Sequence, residues 1–244
     1  MIQWRHIYLI VVLCVLTGCS GYKIEGGEVF WQMLDEGRGK TMTLVSGAEA
    51  DTFVILRHER YGKDSTGCYY EGQHIPEADP DSFESIFDYY AKDAQRAFYG
   101  GAPISGADGN SFQVLEGNWS CDENNCFFMR SMVPGSDPES FKIYGGYLDS
   151  WAGDNNSYYF ASKRVPVADF STFSVLQGGF AKDSVNVYFK DEIVAGADTT
   201  SFQMVKDTHI GMDKNGYFRF GEPFEPPEVW LNDMGLTKPS SGGQ

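Results

Sequence analysis

Ten aspartates recur at fixed spacing, and their type and pattern make them the first candidates for chemistry. Members of the first set are 29, 29, 32 and 29 residues apart, and each is followed fifteen residues later by a member of the second set. The first set is Asp64, Asp93, Asp122, Asp154 and Asp183, and the second is Asp79, Asp108, Asp137, Asp169 and Asp198. Carboxylates in such numbers could bind Ca²⁺ between repeats, which takes about six to eight oxygen ligands.

Turn capping is the competing interpretation of these aspartates, and we favour it. The repeats lack the clustered Asp-x-Asp-x-Asp/Asn spacing that would gather several carboxylates around one ion. An Asp in a Ser- or Asn-rich stretch accepts hydrogen bonds from the backbone amides that follow it. The sequence therefore predicts no metal site and no cofactor.

Histidines and cysteines are the remaining candidates for catalysis. His58, His74 and His209 are widely spaced, without the His-x-x-x-His pair of a zinc site. The chain has neither a Gly-x-Ser-x-Gly nucleophile turn nor a phosphate-binding glycine loop. A dyad of Cys68 and His74 is conceivable. We expect no catalytic residue, with an envelope hydrolase as an alternative because active sites can assemble from distant residues.

Two cysteines are placed to form a disulfide. Cys121 and Cys126 flank residues 122–125, a predicted hairpin turn, so they would face each other across two strands. Export would favour their oxidation. Cys68 occupies the same repeat position as Cys126, and we expect a buried, unpaired thiol. The repeat that holds the pair is the most divergent, and a hydrolase site would be sought there first.

The N-terminus carries the pattern of an exported, lipid-modified protein. Arg5 precedes the apolar residues 7–16, a run shorter than the roughly 20 residues of a spanning helix. It ends in Leu16-Thr17-Gly18-Cys19, which resembles the lipobox of bacterial lipoproteins. The resemblance implies removal of residues 1–18 and multiple acyl chains on Cys19, which anchor a protein stably. Ser20 in the next position resembles the outer-membrane sorting signal of Gram-negative lipoproteins, with the chain facing the periplasm.

The acidic charge of the chain restricts its partners. The formal net charge is −15, and cleavage before Cys19 removes Arg5 and no acidic residue, which leaves −16. Nucleic acids and anionic lipids select basic surfaces, so we expect neither as a partner. The expected partners are the membrane, through lipid on Cys19, and an unidentified envelope protein or glycan.

The aspartates belong to a repeat of about 29 residues, whose elements must position them. An aromatic pair follows each first Asp by five residues, and Ser or Thr followed by Phe comes shortly after each second Asp. This pattern predicts a β-hairpin around the first Asp and a capped single turn at the second. Partial copies flank the five repeats, one at residues 29–31 and 48–53, and one from Asp213, whose aromatic pair comes one residue early.

Strand alternation assigns the two aromatics of each pair to opposite faces. The second aromatic shares its face with the residue before the pair, and we predict that this uniformly apolar face is core. The first aromatics would then lie half exposed as a ladder, at Tyr69, Phe98, Phe127, Tyr159 and Tyr188. We favour cross-strand packing as the role of this ladder. The alternative is a surface on which sugar rings or an extended peptide stack.

These units resemble the DKNYY family of bacterial repeat proteins. The resemblance rests on Asp213-Lys214-Asn215 and on the aromatic pairs, and it covers roughly residues 22–220. This chain departs from it where Lys or Asn is usual, as in Asp64-Ser65-Thr66-Gly67. The resemblance implies a repeat fold and no particular activity.

Together these observations predict an all-β fold, a repetitive antiparallel β array that is elongated and solenoid- or meander-like. A propeller-like ring is the alternative, although its blades usually need about 40–45 residues. The expected domains are a signal peptide (1–18), a lipidated N-terminus with a partial repeat (19–61), the repeat domain (62–220), and a Pro-rich linker with a flexible tail (221–244). The expected function is that of an envelope lipoprotein with a non-catalytic interaction or scaffold surface; the alternative to it is a sugar- or peptide-binding module.

Overall fold

The computed structural model describes residues 20–35, 37, 39–144 and 150–237. These residues form seven small antiparallel sheets in chain order, one short α-helix and one 3₁₀ turn. The predicted all-β repetitive array is therefore confirmed. The predicted signal peptide, Cys19, the repeat insertion at Gly145-Gly146 and residues 238–244 of the predicted tail lie outside the described residues.

The chain begins with a three-stranded N-terminal sheet, and six four-stranded units follow it. The N-terminal sheet comprises β1 (Gly21–Glu25), β2 (Glu28–Asp35) and β3 (Gly39–Leu44). Unit 1 comprises β4 (Val54–Ile55), β5 (Tyr61–Lys63), β6 (Cys68–Tyr70) and β7 (Gln73–His74). Unit 2 comprises β8 (Glu84–Phe87), β9 (Tyr90–Lys92), β10 (Ala97–Tyr99) and β11 (Ala102–Pro103). Unit 3 comprises β12 (Gln113–Val114), β13 (Trp119–Cys121), β14 (Cys126–Phe128) and β15 (Ser131–Val133).

The last three units repeat this arrangement, and a helix closes the described chain. Unit 4 comprises β16 (Lys142–Tyr144), β17 (Trp151–Gly153), β18 (Tyr158–Phe160) and β19 (Lys163–Arg164). Unit 5 comprises β20 (Ser174–Val175), β21 (Phe180–Lys182), β22 (Val187–Phe189) and β23 (Glu192–Ile193), preceded by the 3₁₀ turn Phe170–Thr172. Unit 6 comprises β24 (Gln203–Met204), β25 (Ile210–Met212), β26 (Tyr217–Arg219) and β27 (Glu222–Phe224), and helix α1 spans Glu228–Asp233.

Two kinds of turn recur after the second and the third strand of the units. In unit 5, Asp183 opens the turn between β21 and β22, and residues 190–191 connect β22 to β23. Lys190 has a φ of 57°, the left-handed conformation that a two-residue hairpin loop requires. The same conformation occurs at the equivalent residues Glu71, Gly100, Met129, Ala161 and Phe220.

The core lies between consecutive sheets. At the junction of units 5 and 6, Phe180, Val187 and the second aromatic Phe189 pack against Phe202 and Phe218 of the next unit. Corresponding clusters fill the five other junctions of the array. The second aromatic of a pair thus faces the following unit, and the first aromatic faces the preceding one.

The predicted exposure of the first aromatics is wrong. They are at most 1% exposed, at Tyr69, Phe98, Phe127, Tyr159 and Tyr188. The second aromatics are the partly exposed ones, at Tyr70, Tyr99, Phe128, Phe160 and Phe189. Strand alternation correctly predicted that the two aromatics of each pair lie on opposite faces of the sheet. The error was the assumption that solvent covers one of those faces. Neighbouring units cover both faces, so the first aromatic is enclosed between two sheets.

The array is open. Its packing clusters join each unit to its neighbours in sequence, and none of those formed by the described residues joins the N-terminal sheet to unit 6. The array therefore has two distinct ends.

Two predicted domain boundaries require correction. Strand β4 and Tyr61 belong to unit 1, so the repeats begin inside the segment 19–61. Residues 222–224 form the fourth strand of unit 6 rather than a linker, and Pro223 is tolerated because β27 is an edge strand. Unit 6 is thus complete, with Phe218 opposite Gly211 as Tyr188 is opposite Ala181.

Candidate functional site

The first set of aspartates caps the hairpin turns from within the structure. Both Asp183 oxygens are engaged: Oδ1 accepts hydrogen bonds from the Val185 and Asn186 amides, each at 2.7 Å. Oδ2 accepts from the Tyr188 hydroxyl at 2.6 Å and from the Asp169 amide at 2.9 Å. The other first-set aspartates and Asp213 repeat the amide contacts, at Asp64, Asp93, Asp122 and Asp154.

The second set of aspartates closes a reciprocal link between consecutive units. Ser111 donates its hydroxyl to Asp108 at 2.6 Å and accepts a hydrogen bond from the Glu123 amide at 3.2 Å. Asp122 in turn accepts from the Asp108 amide at 2.9 Å. Equivalent links involve the caps at Asp79, Asp137, Asp169 and Asp198. Both sets of carboxylates therefore connect one turn to the next.

These hydrogen bonds favour the ionised form of Asp183 and of Asp169. Burial by itself raises the pKa of Asp183, but hydrogen bonds from the Tyr188 hydroxyl and from the Asp169 amide outweigh it and hold the pKa below its usual 3.8. The Ser184 and Ser171 hydroxyls likewise lower the pKa of Asp169. Burial and the bond to Asp183 raise the pKa of Tyr188. Anionic Asp183 and neutral Tyr188 are therefore the forms that this junction favours.

An apolar groove of about 350 Å³ lies along units 4 to 6. Its lining includes three aromatic rings, Phe160, Phe189 and Phe220, beside the polar side chains of Lys190 and His209. Phe220 is 61% exposed, and its ring centroid lies 6.3 Å from that of Phe189. Its positive φ of 54° is matched by the equivalent turn residue of every unit, so its exposed ring, and not its backbone, marks it as a candidate functional residue.

Sequence reasoning missed this groove because its residues come from three units. Two of its rings are second aromatics, which we had assigned to the core, and Phe220 occupies a turn position. A large aromatic residue at a position that other units fill with Gly, Ala, Lys, Glu or Met is the signal that could have revealed it.

A second concavity, of about 490 Å³, is polar and lies where the N-terminal sheet meets units 1 and 2. Arg60 binds Glu71, and its Nε lies 3.5 Å from Asp88 Oδ1. The guanidinium also lies 4.8 Å from the centre of the Tyr89 ring. Arg57, His58 and Glu59 also line the concavity. This polar site lies away from unit 3, where the sequence would have placed a hydrolase centre.

The sequence profile of the DKNYY family matches residues 5–102 and 90–222. The chain belongs to the DKNYY family. No curated protein and no solved structure shows significant similarity to it.

The DKNYY units show what the variable residue after the first Asp does. In unit 6, Lys214 Nζ lies 2.7 Å from Asp198 Oδ2, in the preceding cap. In unit 5 the same position holds Ser184, whose hydroxyl donates to Asp169 at 2.7 Å. Lys and Ser therefore make equivalent links to the preceding cap, and the departures from Lys preserve the junction.

The three described cysteines of the DKNYY units are either disulfide-bonded or buried. Cys121 and Cys126 form a disulfide between adjacent strands of unit 3. Cys68 is free and fully buried, and burial raises the pKa of its thiol to about 12. Tyr69 rather than Cys68 is opposite His74 in the sheet, so Cys68 and His74 lie on opposite faces. The conceivable Cys68–His74 dyad is therefore not assembled.

No helix formed by the described residues is long and apolar enough to cross a membrane. In the same residues, His, Cys, Asp and Glu side chains form no group of three or more that could hold a metal ion.

Proposed function

We propose that this DKNYY protein is an envelope lipoprotein, anchored by lipid on Cys19, whose β array is a non-catalytic scaffold that presents a binding surface. The observation that carries the scaffold assignment is the use of the repeated residues. The recurring aspartates and first aromatics bind one another or their neighbours across the junctions, so the repeat serves to build a rigid stack.

The sequence before β1 supports the anchor. The lipobox-like Leu16-Thr17-Gly18-Cys19 ends two residues before β1 begins at Gly21. Ser20 supports an outer-membrane location facing the periplasm. Mass spectrometry of the native protein tests the anchor: the expected N-terminus is acylated Cys19, whereas an unmodified cysteine would exclude it. A Cys19→Ala variant should lose membrane association while keeping the β-rich circular dichroism of the wild type.

The groove along units 4 to 6 is the surface we assign to binding. In crosslinking from solubilised envelope, the wild-type protein should capture a specific partner that a Phe220→Ala variant no longer captures. Val185→Ala is the matched control, because Val185 is also exposed and lies outside the groove. Equal capture by both variants, or no specific partner for the wild type, would contradict this assignment.

Sugar binding is the second candidate function, and the exposed ring of Phe220 beside Phe189 favours it. Aromatic faces stack on sugar rings, and Lys190 and His209 can bind hydroxyl groups. Glycan-array binding that disappears in Phe220→Ala would support this function. The buried Tyr69, Tyr159 and Tyr188 cannot be the stacking residues.

A further inference from the structure

One face of the N-terminal sheet carries exposed apolar side chains near its ends, although Gly21 and Gln32 in its central row are buried. Phe30 and Leu44 stand opposite each other on this face, and Leu34 and Met42 lie on the same side of the strands. We call this the outer face and define it by Phe30, Leu34, Met42 and Leu44. Leu34 is 52% exposed and Leu44 is 51% exposed. In unit 5 the corresponding face carries Tyr188, which is fully buried.

The chain connection places this face close to the lipid-bearing residue. Cys19 precedes Gly21 by two residues, and Gly21 lies in the same cross-strand row as Met42. Two residues span at most about 7 Å, so an acylated Cys19 cannot lie far from that row. Acyl chains must enter the hydrocarbon core, so the edge of the N-terminal sheet must reach the headgroup region.

We infer that the outer face of the N-terminal sheet lies against a phospholipid bilayer and inserts its apolar side chains among the lipids. This inference rests on the lipid anchor proposed above. The apolar side chains match the lipid interior of the interface. Lys23 and Lys40, which lie on the same face, can extend their ammonium groups to lipid phosphates. Glu25 and Glu28 close the far end of this face, so a zwitterionic surface suits it better than an anionic one.

The occupant is a bilayer rather than a second copy because the anchor fixes the position of the sheet. A short tether brings lipid to the edge of this sheet, beside the outer face, in every molecule, whereas contact between two copies would require both anchored sheets to turn away from the membrane. The remaining units then extend from the bilayer in chain order, and the groove of units 4 to 6 belongs to the part farther along the stack.

The test uses the full lipidated protein in phosphatidylcholine vesicles, with a nitroxide spin label at Met42→Cys. Cys68 is buried and Cys121 is paired with Cys126, so neither competes for the label. We expect the label at position 42 to show a severalfold higher ratio of oxygen to nickel-chelate accessibility than a label at Val185→Cys, which is exposed on unit 5.

The outcomes separate this inference from the anchor. If the protein floats with the vesicles and both labels have the same water-like ratio, the anchor stands and the bilayer contact is overturned. Low accessibility to both reagents, with spin–spin broadening at position 42, would show a second copy on the outer face and would also overturn it. If the protein does not float, the anchor itself fails and the inference fails with it.

Discussion

The two ends of the stack differ in how far their apolar side chains are covered. At the C-terminal end, Leu231 of helix α1 is 3% exposed and packs against Tyr217 and Val205 of unit 6. At the N-terminal end, the outer face leaves Leu34 and Leu44 about half exposed. Stacked repeats need terminal caps because an inner face left open exposes apolar surface. The chain supplies its own cap at one end, and we assign the cap of the other end to lipid.

The hairpin turn of the N-terminal sheet also differs from those of the repeat units. In unit 5, Asp183 accepts from the amide of Asp169, which belongs to the preceding cap. The N-terminal sheet has no preceding cap among the described residues, and Gly26-Gly27 forms its first turn, with positive φ at both residues. An Asp is thus present where it can link two units, which indicates that these side chains serve the junctions more than the turns alone.

Removing a junction aspartate should have the largest effect. Asp183→Ala leaves several partly buried amides and the buried Tyr188 hydroxyl without this acceptor, so we expect a loss of about 3 kcal/mol or more in the free energy of unfolding. Urea denaturation followed by circular dichroism measures it. The control Asp191→Ala breaks only the exposed ion pair with Lys163 and should cost at most about 1 kcal/mol. Equal losses for the two variants would show that the junction bonds do not stabilise the stack.

Truncating the C-terminal cap should have the next largest effect. Leu231→Ala removes a buried side chain from the contact with Tyr217, and we expect a loss of about 2 kcal/mol or more. Val229→Ala, in the same helix but 71% exposed, should change stability little. Hydrogen exchange should show unit 6 losing protection first, because repeats contact only their neighbours. Uniform loss of protection along the stack would contradict this.

Acid should weaken the units that carry aspartate links. The pKa of Asp183 and that of Asp64 are lower in the folded chain than the usual 3.8, because hydrogen bonds outweigh burial. Their contribution is therefore complete well above pH 4 and is lost as the pH falls below about 4 towards the folded pKa. Thermal unfolding measured from pH 7 to pH 2 should show a falling Tm over that acid range. In Asp183→Asn the fall should be smaller, and an unchanged slope would remove Asp183 as a source.

The sequence alone was sufficient for the repeat and for the positions at which its aspartates cap turns, but it did not predict their links between units. Asp64 and Asp79 are each a local signal, since they accept hydrogen bonds from Thr66 and Ser82, two and three residues away. The exposure of Tyr69 could not be predicted from its own strand, because strand alternation does not reveal whether one or both faces of a sheet are covered.

Helix α1 and the groove show the other limit of sequence reasoning. A helix of six residues is unstable alone, so the helical form of residues 228–233 depends on packing against unit 6 and could not be predicted from the segment itself. The groove brings Phe160 and Phe220 together although they are far apart in the chain. Such a site depends on how units stack, which a repeat pattern does not specify.

Truncating a side chain of the outer face should change the free energy of unfolding least. A Leu→Ala substitution at each end of the stack allows a direct comparison. Leu44 is about half exposed whereas Leu231 is buried, so Leu44→Ala in the unacylated Cys19→Ala protein should change the free energy of unfolding by no more than about 0.5 kcal/mol. Denaturation of Leu44→Ala and Leu231→Ala under identical conditions gives the comparison. A loss at Leu44 as large as that at Leu231 would mean that protein already covers the outer face in water. The N-terminal end would then be capped by the chain or by a second copy, and lipid would not be needed there.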